Sequence, residues 1–108
     1  MSPWRRRVRG PLSAVEMPPE VAEIVRSLPP EVTRQIKPAL IRLAETPEAW
    51  KPLTGELAGL RSYRARRFRI VYEVAESAHR LLILHIGHRR TVYEELAQRV
   101  RQRQPSPQ

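Results

Sequence analysis

The sequence predicts an α+β domain in the order β-α-α-β-β-β, with an optional short C-terminal helix. A two-helix hairpin is expected to pack on one face of a small, mainly antiparallel sheet. Three observations carry this. Two stretches in the first half repeat apolar residues at helical spacing, and both are bounded by prolines. The run Phe68–Val74 alternates with the period of a strand. The run Leu81–Ile86 is apolar at every position but His85.

Each element follows in order. Leu12–Met17 reads as a short strand. Pro18-Pro19 opens a helix, because a first turn does not use the N–H that proline lacks. Val21, Ile24, Val25 and Leu28 then fall at i, i+3, i+4 and i+7 and form one apolar face, until Pro29-Pro30 ends it. A second helix starts near Glu31, turns Val32, Ile36, Ala39 or Leu40, and Leu43 inward, and stops at Thr46-Pro47. Pro38 conflicts with that pattern; an interior proline costs about 3 kcal/mol and predicts a bend. Glu48–Gly59 reads as a loop, and Leu60–Ala65 and Phe68–Val74 as a hairpin of strands. In the second strand Phe68, Ile70, Tyr72 and Val74 share one face, and Arg69, Val71 and Glu73 the other. Glu76–Arg80 makes a turn, and Leu81–Ile86 is expected in mid-sheet, covered on both faces. Val92–Val100 forms the closing helix. Residues 1–11 (MSPWRRRVRGP) are expected as a flexible basic leader, 12–100 as a single domain, and 101–108 as a disordered tail.

The composition narrows the classes. A chain of 108 residues builds one small core. With no cysteine it has neither disulfides nor thiolate metal sites. There is no apolar run of membrane-spanning length and no apolar stretch behind the basic N-terminus, so a cytoplasmic location without a membrane partner is expected. The net charge of +9 and a pI of about 11.3 point to a polyanionic partner, either nucleic acid or an acidic protein. Of the twenty basic residues only Lys37 and Lys51 are lysine. GC-rich coding explains much of that ratio, but it does not explain where the arginines cluster.

Two constellations carry chemistry. Arg61, Arg64, Arg66, Arg67 and Arg69 place five cations in nine residues around one hairpin. Strand alternation puts Arg64 and Arg66 on one side if the strand runs that far, with Arg69 returning beside them. Such a cluster calls for an anion, and the planar fork of arginine suits phosphate. The second constellation is Gly87-His88-Arg89-Arg90 with Tyr93. Gly87 is expected to let the chain leave the sheet. His88 can exchange a proton near neutrality, Arg89 can stabilise charge on a phosphorane, and Tyr93 can stack on a base or orient a phosphate. His85, inside the apolar run, is expected to be structural with a hydrogen-bonded ring, and His79 to be exposed in a polar turn. No His, Asp and Glu cluster has metal-ligand spacing, and neither a phosphate-binding loop nor a nucleophile elbow is present, so no metal or cofactor is expected.

The segments PEVAEIVRSLPPEV, IRLAETP, LTGELAGLRSYRARRFRIVYEV and LHIGHRRTVY together resemble the RelE/ParE superfamily of bacterial toxin–antitoxin toxins. The resemblance covers about residues 12–95. It implies a microbial-RNase-like α+β fold, a cytoplasmic toxin and a cognate antitoxin partner. RelE-type relatives cleave mRNA in the ribosomal 30S A site without metal, the 2′-hydroxyl attacking the adjacent phosphate. By position, the resemblance makes Arg64, Arg69 and Arg89 phosphate-charge residues and gives Tyr93 stacking or orientation. His88 is the acid/base candidate, with Arg61, Arg66, Arg67 and Arg90 as further RNA contacts. The chain departs from the pattern in two places. Relatives often carry glycine where Arg66-Arg67 stands, and well-studied members use lysines on the strand that holds Arg64. Arginine holds its proton too tightly to act as a base. The alternatives are a ParE-like inhibitor of DNA gyrase and a member that only binds nucleic acid or antitoxin.

Overall fold

The proline pairs set the helix boundaries. In the computed structural model, which describes residues 14–75 and 80–103, α1 spans Pro19–Ser27 and α2 spans Pro30–Glu45. Both carry proline in the first turn, where a missing N–H leaves no acceptor unsatisfied. Only Leu28 and Pro29 separate them, and the Leu28 N–H closes α1 on Val25 O at 3.2 Å. α2 runs through Pro38 without interruption. Pro38 and Arg34, whose carbonyl loses its donor, are both exposed, so water can satisfy that carbonyl.

The remaining elements are β1 (Ala14–Glu16), β2 (Lys51–Pro52), β3 (Arg61–Ala65), β4 (Phe68–Ala75), β5 (Arg80–His88) and α3 (Val92–Arg103). The sheet order is β1-β5-β4-β3-β2; β1 pairs parallel with β5 and every other pairing is antiparallel. β5 therefore lies between two strands, as its apolar sequence predicts. The helix pair covers one face through Val21, Ile36, Leu40, Leu43, Ile70, Tyr72, Leu81, Ile83 and Ile86. α3 covers part of the other through Leu57, Val71, Val92, Leu96 and Ala97.

A register slip shapes β5. Val71 stands opposite His85 and Tyr72 opposite Ile83, so Leu84 is an extra residue in the ladder. Leu81 and Ile83 face the helix pair, Leu84 and His85 both fall on the α3 side, and Ile86 returns to the helix pair. Burial on both faces, together with this bulge, is why the run shows no alternation.

The structure corrects several expectations. α3 extends to Arg103, into the segment expected to be disordered. The stretch read as a loop holds β2 and a 3-10 turn at Gly55–Leu57. Gly87 lies inside β5 rather than at its exit. A Cβ there would sit 2.7 Å from Glu95 Oε1 and 3.3 Å from Val92 Cγ2, so its smallness lets α3 settle onto the strand. The leader 1–11, the expected strand start at Leu12, the turn 76–79 with His79, and residues 104–108 lie outside the described residues.

Candidate functional site

A buried hydroxyl organises the site. Ser62, on β3, is only 1% exposed, yet its Oγ accepts two hydrogen bonds. Arg69 Nη1 on β4 donates at 3.1 Å, and Tyr93 Oη on α3 donates at 3.0 Å. β3, β4 and α3 thus deliver a serine, a guanidinium and a phenol to one place on the α3 side of the sheet. Arg64 is the direct cross-strand partner of Arg69. Like charges in that relation repel. The two are anchored in opposite directions, Arg69 to Ser62 and Arg64 Nε to Arg66 O at 3.0 Å. None of the hairpin arginines has a carboxylate partner among the described residues. A positive, uncompensated surface beside a phenol is suited to an anion.

The hairpin turn forms without glycine. Arg66 takes φ 59°, a left-handed conformation that costs a non-glycine residue about 1–2 kcal/mol. The strand ends at Ala65, so Arg66 belongs to the turn and does not share a strand face with Arg64. Arg67, exposed in the same turn, accepts the Arg89 N–H at its carbonyl (2.7 Å), which ties the chain beyond β5 to the hairpin. The side chains of Arg89 and Arg90 are exposed beside that junction.

Two expected site residues point elsewhere. Arg61 Nη1 donates to Trp50 O at 2.9 Å, and its charge acts on the buried Tyr72. It lies on the helix-pair side and does not join Arg64 and Arg69 on the other face of the sheet. His88 closes β5, but its ring meets Phe68 edge-on at 5.8 Å, on the helix-pair side, and Nδ1 accepts the Arg90 N–H at 3.2 Å. It is adjacent to Arg89 in sequence without being brought to Ser62, Arg69 and Tyr93. In exchange the structure supplies two residues that sequence reasoning missed. Ser62 carries no signal in a sequence, since its role depends on what reaches it. Lys51 pairs across from Ser62, with Nζ 5.5 Å from the centroid of the Tyr93 ring. The signal for it was its rarity, one of two lysines among twenty basic residues.

α3 is held to β5 by a polar network around the buried His85. Arg99 Nη1 donates to His85 Nδ1 (2.6 Å) and Leu84 O (3.0 Å). His85 Nε2 meets Glu95 Oε1 at 3.0 Å, and Thr91 Oγ1 donates to Glu95 Oε2 at 3.0 Å. With Arg99 donating to one ring nitrogen, His85 is neutral and its other nitrogen carries the proton. The expected structural role of His85 agrees with this network. Burial, reinforced by the Arg99 charge, lowers its pKa below the usual 6.5, and the Glu95 carboxylate opposes that shift. An unfolded chain protonates this histidine first. Stability is therefore complete above the unfolded value of about 6.5 and declines as pH falls toward the folded value. Urea denaturation at pH 7.5 and 5.5 should show a larger loss for the wild type than for His85→Gln; equal losses would contradict this assignment. Tyr72 is different again. Its phenol donates to Pro47 O, and burial raises its pKa to about 12, with Arg61 opposing, so it stays protonated.

A family model described as ParE toxin of type II toxin–antitoxin system, parDE, matches residues 20–93. That span runs from α1 to Tyr93. The chain belongs to the ParE toxin family. Solved structures agree in fold. The RelBE2 toxin–antitoxin complex from Mycobacterium tuberculosis superposes with TM-score 0.65 at 27% identity, over 69% of this chain and 88% of that chain. An arginine-to-alanine double mutant of Escherichia coli RelE in the free state gives 0.63 at 25% identity, over 80% and 95%. The isolated E. coli RelE toxin gives 0.62 at 23% identity, over 80% and 96%, a likeness of fold. Among curated proteins no sequence matches significantly. This ParE family member is thus a type II toxin on a RelE-like fold, three helices on a five-stranded mixed sheet, of the α+β class that the resemblance implied.

Proposed function

We propose that this toxin is a metal-independent endoribonuclease that cleaves mRNA on the ribosome. The observation that carries the reading is the convergence of Arg69 and Tyr93 on the buried Ser62 hydroxyl, with Arg64 directly across the ladder. In such a reaction the RNA 2′-hydroxyl attacks the adjacent phosphorus, the 5′-oxygen leaves, and negative charge grows on the phosphorane oxygens. Fixed cations aimed at that charge supply the largest rate term. Arg69, immobilised on Ser62, is the principal one, with Arg64 and Arg89 flanking it. Tyr93 stacks on a base or orients the phosphate; the 2′-hydroxyl gives its proton to water as its bond to phosphorus forms, and the departing 5′-oxygen takes one from water. His88, whose ring packs on Phe68, has no part in this scheme.

A cognate antitoxin is the proposed protein partner, supported by the M. tuberculosis relative, which was solved as a toxin–antitoxin complex. The outer groove between α1 and α2 is lined by Val25, Leu28, Ile36 and Ile41, and edged by Arg26, Arg34 and Lys37. An amphipathic segment with acidic flanks fits that chemistry.

The family match to ParE favours a second reading, a gyrase inhibitor on the same fold. One experiment separates the two: induce the toxin, map mRNA 5′ ends on translating ribosomes, and follow DNA supercoiling. Codon-phased cuts in the wild type, lost in Arg89→Ala, are the expected result. Intact mRNA with blocked supercoiling would replace this reading with gyrase inhibition. If both stay normal, the chain is a binding module.

A further inference from the structure

The two-residue strand β2 is fastened from several sides. Lys51 and Pro52 pair with Ser62 and Arg61. The Trp50 carbonyl accepts Arg61 Nη1 at 2.9 Å, the Trp50 ring stands edge-on to Tyr63 at 4.6 Å, and the Leu53 N–H bonds to Leu60 O at 2.9 Å. These contacts fix the backbone at a point whose one reactive side chain is Lys51. Its cross-strand partner is the same Ser62 that gathers Arg69 and Tyr93. Lys51 is exposed and has no carboxylate partner among the described residues. Its ammonium lies over the Tyr93 ring, 5.5 Å from the centroid, within the distance at which a cation is drawn to an aromatic face.

That contact is weak at a solvent-facing position, and it occupies a ring face on which a nucleobase would stack. An ammonium and a base cannot share one face. The lysine stem is flexible, while its backbone is fixed beside the cluster, so a displaced ammonium stays within reach of the nucleotide that displaced it. The only anionic part of that nucleotide is its phosphate. We propose that Lys51 is a further RNA-binding residue of this site: its ammonium rests on the Tyr93 ring in the free protein and moves to a phosphate oxygen when a base takes that face. The inference rests on the RNA-cleaving reading of the cluster.

Lysine scarcity makes the test direct. The other lysine, Lys37, is exposed on α2, on the far side of the sheet. The full-length toxin is acetylated with an N-hydroxysuccinimide ester, with and without a single-stranded RNA oligonucleotide made uncleavable by 2′-deoxy substitution. Mass spectrometry then reads each lysine. Bound oligonucleotide should slow acetylation of Lys51 several-fold and leave Lys37 unchanged. In parallel, Lys51→Ala should flatten the slope of log affinity against log salt by about 0.7, the share of one phosphate contact on a single strand. Lys51→Arg should keep the slope, as should Arg42→Ala on α2. Bound oligonucleotide with Lys51 acetylated at its free rate would overturn the inference alone. So would an unchanged slope in Lys51→Ala, or an equal change in Arg42→Ala. Failure of the wild type to bind the oligonucleotide would remove the RNA reading, and this inference with it.

Discussion

Arg69→Ala is expected to slow RNA cleavage by roughly 10²- to 10³-fold, the loss seen when one fixed transition-state donor is removed. Arg69 is the hairpin arginine held by a buried side chain, its guanidinium bonded to Ser62 Oγ at 3.1 Å. A cation already fixed in place needs no reorganisation as charge develops, whereas a freely moving surface arginine does. Arg69→Lys should recover only part of the rate, because an ammonium lacks the rigid planar fork that lets a guanidinium hold Ser62 with one N–H and aim another at phosphate. Single-turnover cleavage of ribosome-bound mRNA measures this, with a thermal melt of each variant to show that it is folded. If folded Arg69→Ala cleaves at the wild-type rate, the Ser62 cluster is not the centre of the chemistry.

Ile83→Ala should remove about 2–5 kcal/mol of stability, while Leu82→Ala removes markedly less. The two are neighbours in one apolar run and look alike in sequence. Ile83 is 0% exposed and packs between the sheet and the helix pair, so truncation leaves a cavity. Leu82 is only half-buried, and its truncation opens onto space that water can fill. Urea denaturation at pH 7.5 decides between them; similar midpoints for the two variants would show that the core is not divided as described.

The architecture was legible because its signals are local. Proline pairs mark both helix starts, since a residue without an N–H is tolerated in a first turn and poorly elsewhere. The alternation of Phe68, Ile70, Tyr72 and Val74 names the buried face of β4, and a run that is apolar at every position but His85 names β5 as interior. Pro38 was the one local signal in conflict, and the helical spacing on both sides of it correctly outweighed it: its exposed position lets α2 continue to Glu45, and exposure is a property of packing. β2 was hidden for a related reason. Two residues carry no period, and their strand state exists only because β3 offers a ladder edge.

The candidate site divides along the same line. The sequence by itself determined the chemical inventory: a high positive charge carried almost wholly by arginine, a hairpin dense in it, and an arginine and a tyrosine after the central strand. Charge and side-chain chemistry belong to residues and survive any fold. Which of these groups meet was decided by tertiary structure alone. Strand pleating sends Arg61 and His88 to the helix-pair side and Arg69 to the other; the bulge at Leu84 turns His85 under α3, and α3 carries Tyr93 onto Ser62. A side chain in a strand changes face with every residue, so a cluster of neighbours in sequence is split by the sheet. A serine and a lysine from distant positions take the places beside Tyr93 instead.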